Sequence, residues 1–341
     1  MRQETTPTSE EREELLRQLA ELARQLHENP GVDRHVSGVL ESVHAARRWG
    51  DATRRETAQA LYDTHRDAVY NLQTFMPLHR VARLLGVHGH GLFLNNACAS
   101  GLYALDAAAL LVGAGRCRTA LVAGADHPTA YPKYRWFADQ DLAAEDGVMQ
   151  PFDTRRHGFV LGDGGAALVL EDLDAARERD ARIYAVYRGG GFNQEAWKVA
   201  LPDPSSGRYE AALRAALRAA RVDAGDIDWV VPHGVATGVT DAYEARSLSN
   251  VFGPEFERPR LTAFKPYVGH NLGGSGVTET ALLLLCMRRG ELPAARGCEE
   301  PDPALRLRPL QENVRERARL ALKCAAGFGG FNAAAIFERL E

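Results

Sequence analysis

A cysteine stands at the start of a helical pattern, in the stretch NNACASG at residues 95–101. A free thiol has a pKa of about 8.5, so it needs activation before it attacks an electrophile such as a thioester. Small residues and then a helix follow Cys98, and free N–H groups at the positive end of a helix stabilise a thiolate. This placement predicts that Cys98 is a nucleophile. The other four cysteines are scattered without a CxxC pair, which predicts neither a zinc site nor a disulfide framework.

Two histidines stand where catalytic groups are expected. His233 follows the apolar run WVV and precedes a glycine, which predicts a place at the carboxyl end of a strand, where ligand sites of α/β sheets lie. His270 occupies, in the second part of the chain, a place similar to that of Cys98 in the first. The remaining nine histidines are interpreted as ordinary polar residues.

Strands alternate with helices along the chain, which indicates an α/β protein. Helices are predicted at residues 11–27 and 102–112. Strands are predicted at residues 36–40, 92–94, 119–123, 166–170, 182–186, 229–231, 261–263 and 333–337.

Two segments of the chain echo each other. Ser100-Gly101 and Ser275-Gly276 each begin an apolar helical segment, and later in each half a glycine pair precedes an apolar strand. Two echoes in the same order predict a duplicated half-fold, with halves at residues 1–180 and 181–341.

Four motifs in order resemble those of β-ketoacyl-acyl carrier protein synthases, members of the thiolase-like superfamily. They are ACASG around Cys98, PFDTRRHGFVLGDGGAALVLED at residues 151–172, HG at His233 followed by Asp241 and Glu244, and KPYVGHNLGGSG from Lys265 with GFGGFN from Gly327. The likeness runs from residue 36 to the C-terminus. It implies an α/β thiolase-like fold, in which two pseudo-symmetric α/β/α halves form a five-layered αβαβα core.

The resemblance implies a ketosynthase that catalyses decarboxylative Claisen condensation in fatty acid or polyketide biosynthesis. An acyl group would pass from an acyl carrier protein to Cys98, and His233 and His270 would stabilise the enolate of malonyl carrier protein. Lys265 would act electrostatically and hold Glu279 or a nearby acid. No metal or organic cofactor is expected, because phosphopantetheine arrives on the carrier protein.

The same resemblance assigns substrate-binding and supporting roles. Gly327, Phe328 and Gly329 would place an N–H near Cys98 as an oxyanion donor, and the Phe328 side chain would gate access of the second substrate. Thr237 keeps one of two threonines that bind the pantetheine arm in the family. Val235 replaces the other, which removes a hydrogen bond worth about 1 kcal/mol. Asp241 and Glu244 are expected to support the site structurally.

Two alternatives remain open. A non-decarboxylating thiolase or acyltransferase uses a second cysteine near the C-terminal glycine loop, where Cys324 lies. Alignment of the glycines, however, brings Ala326 to that place. A scaffolding ketosynthase-like subunit of a heterodimer usually lacks the nucleophile, which this chain retains.

Composition excludes other classes. The net charge of −4 offers no footprint for nucleic acid. No apolar run reaches membrane-spanning length and the N-terminus lacks a signal-peptide core, so a cytoplasmic location is expected.

The resemblance leads us to expect that the N-terminal half lacks a counterpart of the family's first strand. In the thiolase-like fold that strand borders the last strand of its half, here residues 166–170. An open apolar edge invites aggregation. We therefore expect a helix, a loop or a partner chain along residues 166–170, in a homodimer or a heterodimer with a related ketosynthase-like subunit.

Overall fold

The computed structural model describes residues 73–127, 131–205, 207–253, 256 and 258–340. The chain divides into two units, residues 1–93 and 94–341. In the first unit the described residues form one helix, α1 (Phe75–Leu85), which ends where Gly86 adopts a left-handed conformation and donates its N–H to Ala82 O. The predicted helix at 11–27 and strand at 36–40 lie outside the described residues.

The second unit contains the remaining described elements. The helices are α2 (Ser100–Gly113), α3 (Tyr131–Asp139), α4 (Leu173–Glu178), α5 (Gly207–Ala220), α6 (Gly238–Phe252), α7 (Lys265–Val268) and α8 (Ser275–Arg289). The strands are β1 (Thr119–Asp126), β2 (Gly164–Glu171), β3 (Val186–Gln194), β4 (Trp229–Val231), β5 (Arg260–Leu261), β6 (Glu291–Leu292), β7 (Val314–Arg315), β8 (Leu320–Gly327) and β9 (Phe331–Glu338).

Five strands form the main sheet, in the order β3-β9-β8-β4-β5. β4 runs parallel to β5 and β8, whereas β9 runs antiparallel to its neighbours β8 and β3. β4, β8 and β9 are almost continuously buried. Such runs are typical of a sheet that is covered on both faces, so hydrophobic residues need not alternate with polar ones.

The helices α2 and α8 pack between the five-stranded sheet and the sheet formed by β1 and β2. α2 contacts β1 on one side and β3 and β9 on the other, and α8 contacts β2 and β8. On the far face of the five-stranded sheet, α5 packs on β3 and β9, and α6 packs on α5. The described part of the second unit therefore contains four layers of the predicted αβαβα order.

The two core helices cross at a pair of glycines. A Cβ on Gly101 would lie 2.5 Å from Val277 N, and one on Gly276 would lie 2.7 Å from Leu102 N. Only glycine permits backbones to approach so closely. The echo of Ser-Gly pairs in the sequence thus corresponds to a contact between the first turns of α2 and α8.

Most predicted elements are present, with corrections to their bounds. Helix 102–112 and strands 119–123, 166–170, 229–231, 261–263 and 333–337 overlap observed elements. The prediction of a strand at 92–94 is wrong, because those residues pair with no strand in the described part of the chain. The predicted strand at 182–186 begins only at Val186 and continues through three glycines. Position 191 must be glycine, because a Cβ there would lie 2.0 Å from Ala212 O on α5.

The N-terminal sheet consists, within the described residues, of β1 and β2 alone. They pair antiparallel from Thr119–Glu171 to Asp126–Gly164. The other edge of β2 has no strand partner among these residues. What covers that edge stays a prediction, as does the division of the chain into halves at residue 180. No described helix is long and apolar enough to cross a membrane.

The glycine crossing can be tested by adding one methyl group. We expect Gly276→Ala to lower the free energy of unfolding by about 1–3 kcal/mol, the usual cost of overpacking, because its Cβ meets the backbone of α2. Urea unfolding followed by circular dichroism measures the change. Gly113→Ala is the matched control, since no atom lies within 4 Å of its Cβ. Equal stability of Gly276→Ala and wild type would contradict the close crossing.

Candidate active site

Cys98 lies in a tight turn that leads into α2. Ala97, immediately before it, adopts a positive φ of 49°. The Ser100 hydroxyl accepts a hydrogen bond from Asn96 N at 2.8 Å and donates one to Ala97 O at 2.5 Å. The turn is therefore closed by the first residue of the helix, and this fixes the position of the thiol.

His270 contacts the cysteine directly. Its Nε2 lies 3.2 Å from Cys98 Sγ, and its Nδ1 lies 3.0 Å from Ser275 Oγ. A hydroxyl can donate or accept, so Ser275 supports either tautomer of the imidazole. The nucleophile precedes α2 and the histidine precedes α8, at corresponding places beside the glycine crossing.

Burial controls the protonation of the thiol. Burial raises the pKa of Cys98 to about 12, and the positive charge of Lys265 lowers it less strongly. The expected stabilisation of a thiolate by the helix end is therefore outweighed, and the resting residue is a thiol. The group in place to accept its proton is His270.

His233 is held through its backbone on both sides. Its N–H donates to Glu244 Oε1 at 2.7 Å, and the Gly234 N–H donates to Glu244 Oε2 at 2.8 Å. Its carbonyl accepts from Lys265 Nζ. The imidazole faces His270 with ring centroids 5.6 Å apart, and its buried Nδ1 has no hydrogen-bond partner among the described residues. A free polar atom of this kind is available to a ligand.

Both histidines are neutral at physiological pH. Burial lowers the pKa of His233 and of His270 well below the ordinary value, and the charges of Lys265 and Lys323 lower both pKa values further. Each imidazole thus offers one N–H and one lone pair.

Asp241 organises the loop that follows His233. Its carboxyl group accepts from Phe152 N at 2.7 Å, Val235 N at 3.2 Å and Ala236 N at 3.1 Å. Burial raises the pKa of Asp241 to about 7. Asp241 and Glu244 therefore occupy supporting positions, as predicted, and contact backbone.

Lys265 and Glu279 form a buried ion pair. Lys265 Nζ lies 2.7 Å from Glu279 Oε1, with side chains 1% and 2% exposed. A second lysine, Lys323, lies 2.9 Å from Glu279 Oε2 and is also 1% exposed. The sequence interpretation missed Lys323; the available signal was a charge inside the apolar run LALKCAAG.

A cavity of about 300 Å³ connects the site to the surface. Among the predicted residues, Cys98, His233, His270, Val235, Thr237, Gly327 and Phe328 line it, and Gly329 does not. Thr237 Oγ1 is buried there without a hydrogen-bond partner among the described residues. Further lining comes from residues that the sequence interpretation did not single out, including Val199, Leu201, Glu195, Tyr243 and Asn332.

Aromatic side chains form the wall beside Phe328. Its ring lies 6.2 Å from that of Phe137 and 6.0 Å from that of Trp136. Phe159 packs between Phe137 at 5.2 Å and His270 at 5.1 Å. Movement of Phe328 would therefore alter a chain of ring contacts that reaches His270.

The glycine loop passes next to the nucleophile. A Cβ on Gly327 would lie 3.1 Å from Cys98 N. The N–H of Gly329 donates to Val199 O at 2.6 Å, and that of Gly330 donates to Gly327 O at 3.1 Å. Since these two amides are occupied, Gly329 does not supply the predicted oxyanion donor, and a donor at Gly327 or Phe328 stays a prediction.

The second cysteine of the thiolase alternative is not at the site. Cys324 is fully buried in the core cluster that contains Tyr209 and does not line the cavity, whereas Ala326 does. No group of three or more potential metal ligands occurs among the described residues.

Comparison with known proteins gives the family. The Beta-ketoacyl synthase, N-terminal domain, matches residues 10–176, and the Beta-ketoacyl synthase, C-terminal domain, matches residues 184–299. The chain is 32% identical over 267 residues to the putative polyketide beta-ketoacyl synthase 1 of Streptomyces halstedii, covering 76% of this chain and 63% of that protein.

Solved structures agree with this match. A beta-ketoacyl synthase from Burkholderia phymatum superposes with a TM-score of 0.71 at 30% identity, over 76% of this chain and 64% of that one. The ishigamide ketosynthase/chain length factor superposes with a TM-score of 0.75 at 27% identity, over 79% of this chain and 66% of the other.

The mixed α/β fold, with a cysteine and two histidines on one cavity, agrees with these family and structure matches. The chain belongs to the β-ketoacyl synthase family, and its fold is thiolase-like. It spans about three fifths of the length of the curated full-length synthases that it matches.

The raised pKa of Cys98 predicts how the residue reacts with iodoacetamide. The thiolate is the reactive form, so the alkylation rate should rise about tenfold per pH unit between about pH 7 and 9 without a plateau. Peptide mass spectrometry at Cys98 measures the rate. Cys98→Ala gives the background from the partly exposed Cys117 and Cys286. A plateau below about pH 9 would contradict a burial-dominated thiol.

Proposed function

We propose that the protein is a ketosynthase, which joins an acyl thioester to a malonyl thioester by decarboxylative Claisen condensation in fatty acid or polyketide biosynthesis. The observation that carries the proposal is the 3.2 Å contact of Cys98 Sγ with His270 Nε2, on a cavity that His233 also lines. A nucleophile next to a base, with a second neutral imidazole beside them, provides groups for both half-reactions.

The first half-reaction is acyl transfer. His270 Nε2 accepts the thiol proton as Cys98 Sγ attacks the thioester carbonyl. The new bond joins Sγ to the acyl carbon, and the bond to the pantetheine sulfur breaks. The proton returns from His270 to that sulfur, so the arm leaves as a free thiol. Burial makes the acyl-enzyme favourable relative to a thiolate, because the bound ester carries no charge.

The second half-reaction is condensation. The malonyl carboxylate leaves as carbon dioxide and the electron pair remains as an enolate, whose oxygen accepts hydrogen bonds from His233 and from the Nε2–H tautomer of His270, which the Ser275 hydroxyl also supports. The enolate carbon then attacks the acyl carbonyl on Cys98, the bond from that carbon to Sγ breaks, and the released thiolate takes a proton from water to restore the thiol. Preorganised donors at a developing negative charge are usually the largest contribution to catalysis.

The partner of the proposed reaction is an acyl carrier protein, which brings its phosphopantetheine arm, so no metal or further cofactor takes part. The buried Thr237 hydroxyl, which lacks a partner on the cavity wall, suits an amide of that arm. Val235 on the same wall offers no hydroxyl.

Assembly and location belong to the same proposal. A homodimer, or a heterodimer with a related ketosynthase-like subunit, would complete the enzyme; a similar solved structure is a ketosynthase/chain length factor. We further infer a cytoplasmic location, in keeping with five free cysteines.

Intact-mass spectrometry tests the proposed function. Wild type incubated with a panel of acyl carrier proteins should gain one acyl group, and Cys98→Ala should gain none because its nucleophile is absent. Cys117→Ala, which removes a cysteine outside the cavity, should load like wild type. Failure of the wild type to load from any acyl donor, alone or with a ketosynthase-like partner, would favour the scaffolding alternative.

The two histidines should separate in their effects. His233→Ala should keep acyl loading and lose carbon dioxide release by on the order of a hundredfold or more, because it removes one enolate donor. His270→Ala should slow both steps, since it also removes the base at Cys98. Release of carbon dioxide from malonyl carrier protein and the rate of acyl loading are measured side by side. Wild-type decarboxylation in both variants would contradict the assignment.

Thr237 should contribute to binding of the arm. Thr237→Val keeps the shape and removes one hydrogen bond of about 1 kcal/mol, so the KM for acyl carrier protein should rise roughly fivefold with little change in kcat. Val235→Thr should change KM in the opposite direction. Thr119→Val on the exposed face of β1 is the control. An unchanged KM in Thr237→Val would contradict a role of the Thr237 hydroxyl in binding the arm.

A further inference from the structure

Lys323 is a buried lysine whose ammonium group has three acceptor oxygens within reach. Its Nζ forms an ion pair with Glu279 Oε2 at 2.9 Å and donates hydrogen bonds to Pro232 O at 3.0 Å and to Cys324 O at 2.7 Å. Three acceptors match the three N–H bonds of a charged lysine. Burial of a charge is costly, so a site that supplies all three partners is built for an ammonium ion.

The two lysines bind adjacent carbonyls at the end of β4. Lys323 holds Pro232 O and Lys265 holds His233 O, while the two oxygens of Glu279 bridge the lysines. This arrangement fixes the strand end from which the His233 imidazole projects into the cavity. It also leaves two ammonium groups against one carboxylate, an excess of positive charge beside the histidines.

We propose that Lys323 is a positioning residue for the condensation, which clamps the end of β4 and adds positive charge that, together with burial and Lys265, disfavours protonation of His233 and His270. The inference rests on the proposed function of that site. It assigns Lys323 no contact with substrate, since Lys323 does not line the cavity.

The charge of Lys323 acts among several other groups that surround the histidines. These are Cys98 before α2, Asp126 on β1, Glu244 on α6, Lys265 on α7 and Glu279 on α8. Glu244 and Asp126 have their own partners, Tyr209 and Lys133. A neutral residue at position 323 therefore changes one charge in an otherwise constant set.

The sign of the effect follows from like-charge repulsion. The positive charge of Lys323 opposes protonation and lowers the pKa of both imidazoles, in addition to burial. Its removal should raise those pKa values, so the histidines become protonated at a higher pH. The acid limb of acyl loading onto Cys98 should then move upward, because an imidazolium has no lone pair to accept the thiol proton.

Two variants separate charge from hydrogen bonding. Lys323→Met removes both, and Lys323→Gln retains a donor for Pro232 O. We expect both to shift the acid limb upward by about one pH unit, with a smaller loss of kcat in Lys323→Gln. Leu322→Met is the control, since the neighbouring side chain on β8 is uncharged and lies in the apolar core; its acid limb should match wild type.

A direct titration decides the matter independently of activity. NMR of ¹³C-labelled histidine, with His233→Gln and His270→Gln for assignment, follows each imidazole in substrate-free protein. In Lys323→Gln at least one imidazole should titrate higher than in wild type by about one pH unit. Coincident titrations and acid limbs in wild type and in folded Met and Gln variants would overturn the proposal, even with a lower kcat. An enzyme that shows the shifted titration but no condensation would refute the proposed function instead.

Discussion

The buried cluster of Lys265, Glu279 and Lys323 is the interaction on which the site depends. Its three charges lie where water has almost no access, and such charges are tolerated only when paired and hydrogen-bonded. Each lysine therefore takes a backbone carbonyl at the end of β4 in addition to the shared carboxylate. The two lysine ammonium groups need hydrogen-bond acceptors, and two of these acceptors are the carbonyls of Pro232 and His233. The hydrogen bonds therefore fix the position of the backbone that carries the His233 side chain.

The crossing of α2 and α8 supplies the other half of the geometry. Gly101 and Gly276 let the first turns of the two helices meet backbone to backbone. Cys98 precedes one of these turns and His270 precedes the other, so the crossing distance sets the 3.2 Å separation of Sγ and Nε2. Nucleophile and base thus come from equivalent positions of an internal repeat, and the glycines are needed as much for chemistry as for packing.

The sequence motifs predicted the main residues that line the cavity, whereas the pairing of distant strands could not be predicted from local sequence patterns. Cys98, His233 and His270 stand at element ends, the two histidines beside glycines, and the structure brings the three together. The sequence interpretation missed Lys323 because a single lysine in an alanine-rich run is normally exposed to solvent. Its burial becomes evident only from the pairing of β8 with β4 and β9, which places the strand inside the sheet. The strand predicted at 182–186 likewise stopped short of the glycines of β3, although the close approach of α5 requires a glycine at Gly191.

The protonation states fit a sequence of anionic intermediates. At rest the thiol and both imidazoles are uncharged, since burial raises the pKa of Cys98 and lowers those of the histidines. The cluster of Lys265, Glu279 and Lys323 holds two ammonium groups against one carboxylate, so its net charge is positive. Thiolate, enolate and tetrahedral oxyanion are all negative, so a fixed positive field with neutral hydrogen-bond donors stabilises each as it forms. A protonated His270 would have no lone pair to accept the thiol proton, and the cluster's excess positive charge disfavours that protonation.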